Sequence, residues 1–168
     1  LLETFLSKIA GQWKSVFCIG TGNEGDSARH KQGVIQEKTE EILFDIAPAE
    51  TSINLQIWKN FADEFELMLV SPSGKSYRMV NQPGKTEYLY ADTKVVVYNG
   101  LPTPYNVRQE IYFVWIPQKE EIESGQWNLK ITPVHLVNGE YQMWLPVSSG
   151  SNRQTRFLEP SKTLTLTI

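Results

Sequence analysis

A glycine-rich loop near the start of the chain contains the residue types that could do chemistry. The segment "GTGNEG" at residues 20–25 follows an apolar run at 16–19. As a phosphate site it would need a following helix and a Gly-Lys-Ser/Thr sequence, and the segment has neither. As an oxyanion site, the Asn23 amide would donate to a carbonyl oxygen that gains charge, and Gly22 and Gly25 would let a substrate approach the backbone. Asparagine beside glycine is also typical of an ordinary turn.

The elements before this loop belong to an α/β arrangement. Leu1, Leu2, Phe5, Leu6 and Ile9 follow the spacing of an amphipathic helix over residues 1–11, which Gly11 is predicted to end. Residues 15–19 are apolar after Ser15, as in a strand buried on both faces. One helix and one strand leave most of their apolar surface uncovered, so this piece does not form a stable domain alone.

From residue 33 onward the hydrophobic period changes to two, which predicts β-strands. Turn sequences separate them: Ser71–Gly74 reads as a hairpin turn, and Asn99-Gly100 and Asn138-Gly139 as tight turns. The alternating tail 163–168 is either a last strand of this unit or a return to the first domain. The fold class is therefore mainly β, an antiparallel β-sandwich or jelly roll. The predicted strands are 33–47, 52–59, 64–71, 76–80, 86–91, 94–99, 106–116, 126–137 and 141–147.

Composition excludes several classes of protein. The 168 residues are 40% apolar and 21% charged with a net charge of −3, so a basic nucleic-acid surface is not expected. No apolar run reaches the ~20 residues that span a bilayer. The single cysteine, Cys18, makes no internal disulfide or cysteine-rich metal site. Acidic clusters could bind calcium, but no spaced Asp-x-Asp-x-Asp loop appears, and solvated surface is the favoured interpretation. We expect no cofactor and no metal.

The tryptophans suggest two opposing interpretations. Trp58, Trp127 and Trp144 are assigned to the apolar faces of their strands and therefore to the core, whereas Trp115 at a strand end is left unassigned. If the aromatic side chains were exposed on one sheet face instead, a carbohydrate- or protein-binding module without a proteolytic role would be favoured. A purely structural module is the third functional hypothesis, and full burial of the tryptophans without a convergent polar pocket would favour it.

Two ordered sets of segments resemble a known family. "SVFCIGTGNEGD" behind "LLETFLSKIAG" resembles the subtilisin-like serine proteases, the S8 family. "ELMLVSPSGKSY", "SGQWNLKITP" and "MWLPVSS…TRFLEP" are similar to segments of the jelly-roll domain inserted in clostridial Csp-type subtilases. The resemblance implies that Asn23 is the oxyanion-hole residue. It also implies three parts: 1–26 from the catalytic domain, 27–160 as the inserted jelly roll, and 161–168 returning to the catalytic domain.

The sequence departs from a whole protease because the aspartate, histidine and serine motifs of the family are missing. His30 and His135 lie outside the His-Gly-Thr pattern. We therefore expect no peptide hydrolysis by this chain alone. Its expected partners are the remainder of the parent protease and, through that protease, a peptide or protein substrate; a second copy could dock on residues 1–25. The resemblance implies a secreted, cell-surface or spore-associated bacterial protein, although no signal peptide is visible and Leu1-Leu2 reads as lying inside a longer chain.

Overall fold

The computed structural model describes residues 2–14, 16, 27–102, 108–146, 152 and 154–161. The described part contains one helix, α1 (Leu2–Trp13), and eleven strands. The strands are β1 (His30–Val34), β2 (Glu40–Ile46), β3 (Ile53–Asn60), β4 (Glu64–Val70), β5 (Ser76–Arg78), β6 (Gly84–Tyr90), β7 (Thr93–Asn99), β8 (Arg108–Pro117), β9 (Gly125–His135), β10 (Glu140–Trp144) and β11 (Arg156–Phe157).

The strands form two antiparallel sheets. The larger has the order β1-β10-β3-β8-β7-β6, and the smaller has the order β11-β2-β9-β4-β5. Successive strands lie in different sheets at seven points: β1 to β2, β2 to β3, β3 to β4, β5 to β6, β8 to β9, β9 to β10 and β10 to β11. This is the strand order of a jelly roll, in which the β6–β7 hairpin extends the larger sheet. The predicted fold class is confirmed.

The core lies between the two sheets and is formed by every second side chain along the strands. Ile53, Leu55 and Ile57 of β3 face inward, and the side chains between them face outward. The centre is aromatic: the rings of Trp115 and Trp127 lie 5.8 Å apart at 87°, an edge-to-face contact. The Trp127 indole N–H also donates to the Glu123 carbonyl oxygen at 3.0 Å.

Two predicted elements differ most from the structure. The predicted strand 33–47 is two strands, β1 and β2, in different sheets, because the chain crosses the sandwich between them. Helix α1 passes through Gly11, since one exposed glycine costs only about 1 kcal/mol in a helix. The helix ends at Trp13, where Lys14 adopts a left-handed φ of 48°.

The turn predictions had mixed outcomes. Ser71–Gly74 closes the β4–β5 hairpin, in which the Ser71 N–H donates to the Lys75 carbonyl at 2.9 Å. Asn99-Gly100 is not a two-residue turn, because β8 begins only at residue 108. Asn138-Gly139 lies where the chain crosses from one sheet to the other rather than in a hairpin.

Two predicted strands lie almost wholly outside the described residues. They are 15–19, of which only Val16 is described and exposed, and the tail 163–168. None of the described helical residues belongs to a span with the length and hydropathy that crossing a bilayer requires.

Candidate functional site

The predicted oxyanion loop lies outside the described residues. Asn23, Gly22 and Gly25 are all in this undescribed part, as is Cys18. Their proposed roles therefore remain predictions from the sequence.

The first and last described segments of the sandwich lie side by side. The Phe157 N–H donates to the Ala28 carbonyl, and the Ser161 N–H donates to the His30 carbonyl, both at 2.9 Å. The Ser161 hydroxyl also bonds both the N–H and the carbonyl of Gln32. We call this pairing of 28–32 with 157–161 the terminal seam.

A buried carboxylate holds the segment that leads into the terminal seam. Glu50, 1% exposed, accepts hydrogen bonds from the Thr155 hydroxyl at 2.5 Å and the Asn152 N–H at 2.8 Å. The Thr155 hydroxyl oxygen in turn accepts the Ala47 N–H at 3.0 Å. Because buried polar groups are costly unless paired, this network fixes the path of the chain before β11.

A groove of about 450 Å³ crosses one end of the outer face of the larger sheet. It lies over β1, β10 and β3, with side chains from the start of β8 and the turn before β10 at its border. The strand registers place Gln32 opposite Gln142, and Gln142 opposite Trp58. Two amides and one indole therefore lie abreast on three neighbouring strands, roughly 4.8 Å apart.

Hydrogen bonding leaves several of these groups available. Among the described residues, the side chains of Gln32, Gln142 and Trp58 have no hydrogen-bond partner. The Asn60 and Asn138 side-chain oxygens each accept a backbone N–H at 3.0 Å, which leaves their amide nitrogens as donors. The groove thus offers neutral hydrogen-bonding groups beside the Trp58 ring, while Tyr141, the other aromatic residue of its lining, is buried.

The charges at the groove balance in sign. The Arg108 and Glu140 side chains, both exposed, line its border. Lys59 is buried below, where its ammonium donates to the carbonyl oxygens of Asn60 and Asp63. Burial lowers the pKa of Lys59, and the nearby charges of Asp63 and Glu64 oppose that shift.

Asp63 fixes the turn that borders the groove. Its carboxylate accepts the backbone N–H groups of Val137 at 2.5 Å, Asn138 at 3.1 Å and Gly139 at 3.1 Å. Three main-chain donors converging on one carboxylate hold the β9–β10 connection against the β3–β4 connection.

Further aromatic side chains lie on the same outer face. Gln56 of β3 pairs with Trp144 on one side and with Tyr112 on the other. Tyr98 follows opposite Tyr112 and is 44% exposed. The Trp144 ring stacks on His30 with centroids 3.8 Å apart, and burial lowers the pKa of that histidine.

The tryptophan assignments require correction. Trp127 is buried, as predicted, but Trp58 and Trp144 lie on the outer face. Along β3, Ile53, Leu55 and Ile57 lie at alternate positions and face the core. Trp58 follows Ile57 directly, so the alternation of the strand already places it on the outer face. Trp115, left unassigned, is fully buried at the centre of the core.

The acidic clusters make contacts within the fold. The Glu121 carboxylate accepts the Ala49 N–H at 2.6 Å, and the Glu123 carboxylate accepts the Ser73 N–H at 2.8 Å. Within the described ranges, no group of three or more His, Cys, Asp or Glu side chains could hold a metal ion. His30 and His135 are placed apart, on β1 and at the end of β9.

Sequence reasoning missed the groove because its residues lie on strands far apart in the chain. The one usable signal was the outward phase of Trp58, next to the polar residues Gln56 and Asn60. Gln32 and Gln142 carry no local signal, since exposed glutamines are common on any sheet.

Comparison with known proteins finds a related solved structure. No protein-family model matches the chain, and no curated protein matches it. A solved structure of the Clostridium perfringens CspB protease matches with 29% sequence identity and a TM-score of 0.74 over 84% of this chain. The chain spans 29% of the length of that protease. This protein is therefore similar in structure to one part of a clostridial protease, in agreement with the subtilase-like resemblance of its sequence.

Proposed function

We propose that the chain is a non-catalytic jelly-roll insertion, with a flanking oxyanion-loop piece, from a subtilisin-like serine endopeptidase. The longer enzyme is called the parent protease below. The inserted part is 27–160, and it braces the catalytic domain or shapes access to its cleft. The likeness to a stretch of the CspB protease supports this assignment.

The observation that carries the proposal is the terminal seam. Hydrogen bonds at 2.9 Å from Phe157 to Ala28 and from Ser161 to His30 bring the two ends of the sandwich together. A domain inserted into another must leave and return at neighbouring points, so this geometry suits an insertion. The exposed apolar side chains of Phe5 and Trp13 on α1 suit a helix that packs on a sheet supplied by the parent protease.

In the parent protease, Asn23 would donate its side-chain amide to the oxyanion of the tetrahedral intermediate. Removing one such donor typically lowers kcat by about 10²–10³-fold. We expect Asn23→Ala in the parent protease to lower kcat in that range with little change in KM. The matched control is Asn54→Ala on an outward-facing strand position, which should leave kcat unchanged.

Bracing is tested by replacing residues 27–160 of the parent protease with a short Gly-Ser linker. The neighbouring ends at the terminal seam allow a short linker to join the flanks without strain. We expect a lower Tm for the catalytic domain, or a changed preference among long and short peptide substrates. Thermal unfolding is followed with the nucleophile inhibited, so that self-cleavage does not contribute. Unchanged Tm together with unchanged cleavage would overturn the proposal.

A further inference from the structure

We infer that the groove over β1, β10 and β3 binds a short segment of a neutral oligosaccharide, with Trp58 stacking on a sugar ring and Gln32 and Gln142 bonding its hydroxyls. This inference is independent of the proposed bracing function, because it concerns only side chains on the outer face of the larger sheet. It assigns a class of ligand to the groove, although the fold itself does not require a ligand there.

The lining chemistry matches a sugar. A sugar ring presents an apolar C–H face, which packs on an indole, and a rim of hydroxyls, which both donate and accept hydrogen bonds. Trp58 supplies the first surface, and the side-chain amides of Gln32 and Gln142, which carry both donors and acceptors, supply the second. All three lie abreast and are without hydrogen-bond partners in the described part of the chain, so binding breaks no existing side-chain bond.

The size and charge of the groove also fit this class. A volume of about 450 Å³ lies within the range of roughly 300–1,000 Å³ usual for small-ligand sites. Arg108 and Glu140 carry opposite charges at the border, and buried Lys59 is near the opposite charge of Asp63. A highly charged ligand would have no matching excess of counter-charge, which favours a neutral one.

An extended peptide fits the groove less well. Peptides that add to a sheet bind through unpaired backbone groups of an edge strand. Here β10 and β3 are each paired on both sides, and β1 is bonded to Ser161 at its outer edge. The main-chain groups of the groove floor are therefore largely paired, and recognition depends on the side chains.

The outer face offers an extension for a longer glycan. Trp144 and Tyr112 flank Gln56 on the row of residues next to Trp58, and Tyr98 continues that row. Aromatic rings in successive positions give a polymer several stacking contacts. We therefore expect hexasaccharides to bind more tightly than disaccharides of the same sugar.

The test is an NMR titration of the ¹⁵N-labelled 168-residue chain with cellohexaose, xylohexaose, chitohexaose and maltohexaose. About 5 mM ligand suffices to detect a Kd near 1 mM. We expect at least one of these neutral glycans to shift the amide and indole resonances of Trp58 and the side-chain amides of Gln32 and Gln142. Shifts absent for all four, or confined to other surfaces, would overturn the inference. Binding of trigalacturonate in preference to every neutral glycan would also overturn it.

Variants localise the site. Trp58→Ala and Gln142→Ala should each weaken binding at least about tenfold, or about 1.4 kcal/mol. The control Leu89→Ala removes an exposed apolar side chain on β6, outside the groove and outside its aromatic extension, and should weaken binding less than twofold. Thermal unfolding checks that each variant is folded. If Trp58→Ala is not folded, Gln142→Ala, a change at a partly exposed amide, still tests whether the groove is the binding site. Equal affinity in wild type and Gln142→Ala would refute the groove as the site.

Discussion

Among the polar side chains of the sandwich, Asp63 is the one whose removal should lower the free energy of unfolding most. It is 1% exposed, and its carboxylate accepts three backbone N–H groups from residues 137–139. The Lys59 ammonium, also buried, donates to the Asp63 main-chain carbonyl oxygen and lies within the field of the carboxylate. Asp63→Ala therefore leaves three N–H groups without their acceptor and removes one of the two anions near the buried Lys59 ammonium.

The magnitude follows from these contacts. A hydrogen bond to a charged group contributes about 1.5–3 kcal/mol, but three bonds to one carboxylate are not additive. Removing one partner of a buried charged arrangement typically costs about 3–5 kcal/mol. We expect Asp63→Ala to lower the free energy of unfolding by about 4 kcal/mol, a large share of the roughly 5–15 kcal/mol usual for a domain.

Equilibrium unfolding in urea, followed by tryptophan fluorescence, measures this loss. The matched control is Glu66→Ala on β4, where an exposed carboxylate lies 3.6 Å from Arg78 and should contribute at most about 1 kcal/mol. If Asp63→Ala destabilised the chain by no more than Glu66→Ala does, the three hydrogen bonds would not stabilise the fold as argued. A changed m value would instead indicate that the unfolded or folded state had changed in compactness.

Three further predictions concern stability. Gly139→Ala should lower the free energy of unfolding in urea by about 2–4 kcal/mol, because φ is +69° and the added Cβ would clash with the Ile35 carbonyl oxygen. Gly74→Ala, with φ +83° but open space, should lower it by only about 1–2 kcal/mol, and equal losses would contradict this reasoning. Burial lowers the pKa of His30, so the neutral imidazole stabilises the fold above the pKa of the unfolded state, near 6.5, and this contribution is lost as pH falls through the folded pKa. The Tm of His30→Phe should therefore fall less between pH 7.5 and 5.5 than the Tm of the wild type. Parallel plots of Tm against pH would exclude the effect. Glu50→Ala should cost about 2–4 kcal/mol, because Thr155 and the Asn152 N–H lose their acceptor, and a cost below about 1 kcal/mol would show that water replaces it.

The sequence predicted the sandwich because β-strand burial repeats every two residues. In β3 the alternation of Ile53, Leu55 and Ile57 with polar neighbours defines one strand and its inner face without tertiary information. The same rule applied with the correct phase would have placed Trp58 outside. Periodicity did not show the crossing between β1 and β2, since residues 33–47 stay compatible with a single extended strand until the partner strands are known.

The candidate site was less accessible from the sequence than the fold. Gln32, Trp58 and Gln142 meet only because β10 pairs with both β1 and β3. That pairing depends on contacts between residues distant in the chain, which no local pattern specifies. Asn23 is the opposite case: a short motif predicts its role, and the structure leaves that prediction untested because the loop lies outside the described residues.

The terminal seam has a consequence for chain entropy. An unfolded segment the length of 27–160 costs roughly 3 kcal/mol more to close into a loop than one of about four residues. Once folded, with Phe157 bonded to Ala28 and Ser161 to His30, the same segment joins its flanks almost as a tight turn would. In a host domain, the folded sandwich would therefore reduce the entropy that the host loses on folding. Destabilising the sandwich would then lower the stability of the host even where the two share no contact.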